Sequence, residues 1–337
     1  MRVMVTGGTG FVGAWTVRAL LDDSHDVCLL VRDPSKLASV LGPLGASGVD
    51  HVKGDMRDGA AVAAAMRGCD AVIHAAAVVS LRAKDAQAVY DANVGGARTV
   101  LGRAVEQGMR RILHVSSISA ILDPHAEKLH SGLAVALAST GYSRSKSAAE
   151  RYARELQAAG APVVISYPGG VFGPHAGPAF GASVPALAQP LKTGIMPFSG
   201  GAYNVIDARD LGRIHALMMV PDLPTNRVVA AGPLITVREV TSILRELTGR
   251  RILMLPLPGM LLRGIGRTID MVRQQWDFET PMTYEAAFLM TRMVPSDDSD
   301  LASLGMTLRP TAETFRDLIL GLVDGGLLQA KHVGRLG

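Results

Sequence analysis

The chain has 337 residues, 48% of them hydrophobic and only 4% aromatic, with a formal net charge of +4. That length suits one large α/β domain, or a nucleotide-binding domain with a smaller lobe. Lys and Arg are scattered and never form a run of five, and aromatic residues are too few for stacking platforms, which excludes a nucleic-acid-binding role.

The apolar run Val3–Val5 predicts a buried parallel strand, and from Phe11 a helical pattern takes over. Between them Gly7, Gly10 and Gly13 recur every third residue. One allows a sharp turn, one lets backbone N–H groups approach a pyrophosphate, and one lets the helix pack close to the strand. Phe11 and Val12 then open a helix whose N-terminus offers unpaired donors to phosphate. This strand–glycine–helix order reads as a dinucleotide site.

Downstream the pattern alternates. Strands are expected at 26–31, 51–55, 70–77, 111–116 and 163–167. Helices are expected after Asp33-Pro34, at 59–66, at 85–108 and at 142–159. This predicts a Rossmann-type, doubly wound parallel sheet with helices on both faces. Beyond Pro168, prolines 174, 178, 185, 190 and 197 break the chain into short pieces, with helices near 181–193, 207–220 and 236–248. The expected division is a nucleotide-binding domain over 1–168 and a smaller C-terminal α/β substrate lobe over 169–337, with 203–232 returning to the first as a seventh strand.

Cys28 and Cys69 are too few for a disulfide framework and read as small core residues of a reducing compartment. No apolar run reaches membrane-spanning length, no leader precedes the first strand, and a cytoplasmic protein is expected. The stripe Leu261, Leu262, Ile265, Ile269 and Val272 in 259–275 fits either an interfacial helix or, preferably, packing of the lobe over a cleft. His74, His125, His130 and His175 stand alone, and no metal is expected.

The chemistry gathers at Tyr142 and Lys146, four apart on one helix face. A nearby ammonium would lower the phenol pKa and let it exchange a proton with a substrate oxygen. Ser116 and Ser117 end the fifth strand, at the edge where open α/β sheets bind ligands.

TGGTGFVG, GDM, HAAA, VSSIS, YSRSK and YPGGVFGP, in that order, resemble the extended short-chain dehydrogenases/reductases (the NAD-dependent epimerase/dehydratase family) over nearly the whole chain. The resemblance implies that Ser117 binds the substrate oxygen, Tyr142 is the acid/base, and Lys146 tunes it and holds the nicotinamide ribose. It implies that Gly7, Gly10 and Gly13 form the pyrophosphate loop and that Asp55 and Met56 line the adenine pocket. Ala75 and Ala76 would run along the cofactor, and Pro168 and Val171 would form the nicotinamide-side loop. Asn93 resembles a structural asparagine of the family, and a homodimer through helices 85–108 and 142–159 is expected.

Three departures narrow the reading. Arg32 directly follows the second strand where NAD-using relatives carry an acid. With Lys36 it suits a 2′-phosphate, so NADP(H) is favoured over NAD(H), and Asp33 is assigned to helix capping. Ile118 and Ser119 replace the acid–base pair of sugar dehydratases. Tyr203 replaces an arginine that nucleotide-sugar enzymes use. VRDPSK and VIDARDLG look more like the dihydroflavonol-reductase-like branch. The expected enzyme is an NADP-dependent oxidoreductase for a ketone, aldehyde or alcohol on an apolar small molecule. Val78, Val79, Leu81, Phe172 and Phe180 would line its cleft. A sugar epimerase, a 3β-hydroxysteroid-dehydrogenase-like enzyme and an NADP-sensing regulator are the alternatives.

Overall fold

The structure is a computed structural model. It describes every residue except Leu81, Ser139, Thr140, Pro221, Asp222, Pro224, Gln274, Asp277, Glu279 and Pro281, and omits the side chains of Ala83, Pro185 and Ala186. The first half runs β1 (Arg2–Thr6), α1 (Phe11–Asp22), β2 (Asp26–Val31), α2 (Lys36–Leu41), β3 (Asp50–Lys53), α3 (Gly59–Ala65), β4 (Ala71–His74), α4 (Ala86–Glu106), β5 (Arg111–Val115), α5 (Gly141–Ala158) and β6 (Val163–Pro168). The second half runs β7 (Gly170–Phe172), α6 (Val184–Thr193), β8 (Ile195–Met196), β9 (Ala202–Asp207), α7 (Ala208–Leu217), β10 (Arg227–Ala230), β11 (Leu234–Thr236), α8 (Val237–Thr248), β12 (Leu253–Met254), α9 (Gly259–Val272), α10 (Tyr284–Arg292), α11 (Ser299–Ser303), α12 (Thr311–Asp324) and α13 (Ala330–Val333).

Among the described residues seven strands form one sheet in the order β10-β6-β5-β4-β1-β2-β3. Every pairing in it is parallel. Strands covered on both faces must be apolar along their whole length. β4, β5 and β6 are buried at every residue and largely apolar, with His74, Arg111, His114 and Ser166 as the buried polar exceptions. One face packs Val17 and Leu20 of α1 with Leu211 and Ile214 of α7. The other packs Val100 and Leu101 of α4 with Ala149 and Ala153 of α5. The topology is the Rossmann type that the alternation predicts, and β10 closes the sheet beside β6 from far along the chain.

The C-terminal elements have a third core, in which Phe172, Leu187, Leu244, Phe315 and Leu318 are buried together. It is roofed by a small sheet in the order β11-β9-β7 and by the short pair β12-β8.

Several boundaries differ from expectation. β4 stops at His74 instead of Ala77, because Ala75 and Ala76 leave the sheet to pass against the glycine turn: a side chain on Gly7 would meet the Ala76 nitrogen at 2.7 Å. β3 ends at Lys53, before Gly54 and Asp55. After β2 the helix starts at Lys36, and the Asp33 carboxylate accepts from the Ser35 N–H and hydroxyl to form the turn before it.

Helix α9 meets the preference for lobe packing only in part. Of the stripe named above, Leu262 is buried, Ile269 is half-buried, and Leu261, Ile265 and Val272 are exposed. The side of α9 against the lobe is mixed: Leu262 enters the core, Arg263 donates to the Thr291 hydroxyl, and Asp270 accepts from the Tyr284 N–H. No described helix is long and apolar enough to cross a membrane.

Candidate active site

The C-terminal ends of β1, β4, β5 and β6 meet at one edge of the sheet, and the sequence-predicted residues gather there. Gly7 holds φ +77°, a conformation that favours glycine, and a side chain on Gly13 would meet the Gly7 carbonyl oxygen at 2.1 Å. The turn and the helix start therefore interlock without side chains. Helix α1 begins at Gly10 with no side-chain cap and no acidic residue in its first turn. Its leading N–H donors and positive dipole end are left for a ligand anion.

The exit of β4 is tied to this loop through Thr6. Ala75 N–H donates to the Thr6 carbonyl at 3.3 Å, and Ala76 N–H to its hydroxyl at 3.2 Å. The same hydroxyl sits 2.8 Å from Nδ1 of His74. His74 stacks on His114 of the neighbouring strand with ring centroids 5.8 Å apart. Burial pushes His74 down to about 3, with the Lys146 charge acting the same way, and holds His114 well below the usual histidine range. His74 is thus a neutral core residue and not a cleft contact.

Ser117 follows β5 in extended conformation (φ −167°), and its Oγ accepts from Ser119 N–H at 3.2 Å and Ser119 hydroxyl at 3.1 Å. With both acceptor positions used, the Ser117 hydroxyl proton is oriented outward as a donor. The Ser117 hydroxyl also faces the Tyr142 phenol. Burial pushes that phenol up to about 12; the Ser117 contact opposes the shift and the Glu285 carboxylate adds to it.

Lys146 is buried and donates from Nζ to the Val115 carbonyl at 3.1 Å. Burial brings it down to about 8, opposed by Glu150. The expected lowering of the tyrosine pKa by lysine is not what this arrangement does. The ammonium is held by the strand carbonyl, and desolvation dominates the phenol.

Asn93 joins three pieces of the site. Its side chain exchanges two hydrogen bonds with Val78, at 2.8 and 3.0 Å, and donates to the Ser145 hydroxyl at 3.0 Å. Ser145 in turn donates to the Tyr142 carbonyl at 2.7 Å. The loop after β4 and the start of α5 are thereby fixed to α4.

The remaining residues are more dispersed. Arg32 and Lys36 are exposed beyond β2, and the Arg32 charge helps lower the Asp55 carboxylate, after the larger effect of Arg57. Asp55 accepts from the Arg57 N–H and guanidinium, both at 2.9 Å. Met56 lies over Gly96 of α4. Pro168 ends β6, and Val171 on β7 has its carbonyl against Gly181, which also meets the Phe11 ring. Phe172 is no cleft residue: it is buried, edge-on to Phe315 at 5.5 Å and to Tyr203 at 6.3 Å. Phe180 stacks on His175 at 5.0 Å. Val78 and Val79 keep exposure on the open side, and Leu81 lies outside the described residues.

A further contact had no signal in the sequence. Glu285 of α10 is buried, and its Oε1 accepts from both the N–H and the hydroxyl of Ser143 at 2.7 Å. Its Oε2 accepts from Tyr142 N–H at 3.3 Å. In the sequence it reads as an ordinary first-turn acid two residues after a threonine cap.

The family model described as the NAD dependent epimerase/dehydratase family matches residues 3–232. The chain belongs to that family. Over 335 residues it is 29% identical to sterol demethylase protein B of Methylococcus capsulatus, covering 97% of this chain and 100% of that protein. Over 218 residues it is 34% identical to a Synechocystis protein named as a dihydroflavonol 4-reductase, covering 63% and 61% of the two chains. The fold superposes with TM-score 0.77 on a UDP-glucose-4-epimerase from Stenotrophomonas maltophila solved with bound NAD, at 21% identity and covering 97% and 99% of the chains. The resemblance to extended short-chain dehydrogenases/reductases of the dihydroflavonol-reductase-like branch is borne out. The protein is an NAD(P)-dependent enzyme of this epimerase/dehydratase family that acts on alcohol or carbonyl groups of a small molecule.

The residues present fit the family's dinucleotide. An uncapped helix start beside interlocked glycines is shaped for its pyrophosphate, and a buried ammonium at the carboxyl edge suits its ribose hydroxyls.

Proposed function

We propose that the protein is an NADP-dependent oxidoreductase that interconverts a ketone or aldehyde and its alcohol on a largely apolar small molecule. The observation that carries this reading is the meeting of Ser117 with Tyr142, one helical turn from Lys146, beside the glycine loop. Bound nicotinamide supplies the hydride donor or acceptor. Ser117 donates its hydroxyl proton to the substrate oxygen and orients the carbonyl. Tyr142 gives its phenol proton to the same oxygen in reduction and takes it back in oxidation. Lys146 holds the ribose and, once drawn toward it, places a positive charge near the phenol.

The NADP preference rests on Arg32 and Lys36, exposed where a 2′-phosphate would lie, and on Asp33, whose carboxylate is engaged by Ser35. Residues 1–168, with the returning 203–232, are assigned to cofactor binding and the remaining later elements to the substrate. The full-length likeness to a protein named for sterol demethylation favours sterol-sized alcohols and ketones as first candidates. Dimerisation through α4 and α5 belongs to the same proposal and is read by sedimentation.

The experiment is fluorescence titration of the cofactor-stripped protein with NADPH and NADH, then turnover of steroid and flavanone ketones by wild type and Y142F. Tighter NADPH binding, by about tenfold or 1.4 kcal/mol, with turnover lost in Y142F, supports the reading. NADH preference overturns the cofactor assignment, and retained turnover in Y142F overturns the mechanism.

A further inference from the structure

The N-terminus of α5 is capped from another part of the molecule. A helix start is ordinarily satisfied by a residue just before it; here Glu285 reaches in from α10, more than a hundred residues downstream, and accepts three hydrogen bonds from Tyr142 and Ser143. Burying a carboxylate is costly unless hydrogen bonds and opposite charge compensate. Among the described residues no ion pair to Glu285 occurs, and its compensation is the two backbone donors, one hydroxyl and the positive end of α5. A neutral serine or threonine could have satisfied the same donors without this charge.

Glu285 is the carboxylate bonded to the first turn of α5. Lys146 lies one turn along α5 with its ammonium on Val115, and Arg144 is turned toward Gln87 and the Tyr90 ring of α4. From the far side, Arg267 of α9 covers the Tyr284 ring and Asp270 accepts from Tyr284 N–H. The loop after β5 contributes only the Ser117 hydroxyl, and the histidines beneath Lys146 are neutral.

We propose that Glu285 is a positioning residue that ties the first turn of the Tyr142 helix to the C-terminal lobe and sets a negative charge against the phenol. Building on the acid/base reading of Tyr142, it deepens that reading by assigning what holds the tyrosine in place and protonated in the resting site. A carboxylate bonded to the first turn of the helix disfavours phenolate on that turn. The hydrogen bonds also make the tyrosine's placement conditional on docking of α10, and α10 is held by α9 through Asp270.

The test uses the full chain with NADP⁺ bound and two readouts that need no substrate. Tyrosinate absorbance against pH, taken as the difference between each protein and its Y142F counterpart, isolates one of the six tyrosines. Hydrogen exchange over 141–147 reports the helix start. E285Q keeps an oxygen acceptor and loses the charge. It is expected to lower the Tyr142 midpoint by about one pH unit with exchange close to wild type. E285A is expected to lower the midpoint and also raise exchange by about tenfold, leaving the glycine-loop peptides unchanged. An E285Q titration that superposes on wild type reduces Glu285 to a structural cap and overturns the proposal, as does unchanged exchange in E285A. Turnover by Y142F would refute the acid/base role separately, because neither readout depends on catalysis.

Discussion

Lys146 donates its ammonium to the Val115 carbonyl at 3.1 Å, and so the residue expected to serve the cofactor is anchored to the strand that carries Ser117. The folded group sits near 8, below its usual 10.5, because burial penalises the charge. A depressed basic group binds fewer protons folded than unfolded between those two values, so stability rises with pH across that window. K146M should therefore melt above wild type at pH 7 without cofactor, and the gap should close toward pH 10.5. Its turnover should fall by about 10²-fold or more. A K146M protein that melts below wild type at every pH would refute the desolvation account.

Three buried histidines give the fold an acid limit. His74 and His215 are both brought down to about 3 by burial, and His114 is lowered well below its usual value. Each is neutral in the folded chain and charged in the unfolded chain below about 6.5. Stability should thus decline as pH falls from 6.5, by about 1.4 kcal/mol per pH unit for each histidine. Urea midpoints measured from pH 7 to 4 check this, and H215Q should flatten the slope by one proton. It should do so at some loss of stability, since His215 bridges Thr16 at 2.8 Å and Ser166 at 3.1 Å.

Gly13 admits no side chain. A Cβ there would lie 2.1 Å from the Gly7 carbonyl oxygen, a backbone atom that cannot swing away. G13A should weaken NADPH by about tenfold or more and lower the melting temperature. Binding at wild-type strength would mean that α1 shifts without cost.

Tyr167 donates to Oε1 of Glu150 at 2.6 Å, and Arg154 donates to the same oxygen at 2.7 Å, all beneath α5. Y167F removes one donor from a fully buried carboxylate and should cost about 1–3 kcal/mol in chemical denaturation. NADPH affinity should hold, since Tyr167 and Arg154 bond to Glu150, a turn beyond Lys146 along α5, and to no residue of the glycine loop.

Much of this was legible in residue order alone. Continuous apolar runs are local signals, and so are glycine triplets and Tyr-x-x-x-Lys; the cap expected at Asp33 instead lies at Ser35, with Asp33 in the turn before it. Each such signal works within a dozen residues, so the parallel sheet, the dinucleotide loop and the grouping of Ser117, Tyr142 and Lys146 could all be read from them. Misreadings arose where a contact spans the chain. Phe172 looked like a cleft residue until Phe315 closed on it. The α9 stripe looked like packing along its length, but of its residues Leu262 enters the lobe core while Leu261, Ile265 and Val272 stay exposed and Arg263 and Asp270 bond to α10. Periodicity shows that a helix has two faces and cannot say which of them the lobe covers.

The sequence by itself thus determined the fold class and the family, because those depend on backbone freedom and on the spacing of motifs along single elements. Tertiary structure alone decided the electrostatic state of the site residues. Desolvation governs Tyr142 and Lys146, and a carboxylate 143 residues from Tyr142 caps its helix. Burial and through-space charge are properties of the packed molecule, and no window of residues contains them.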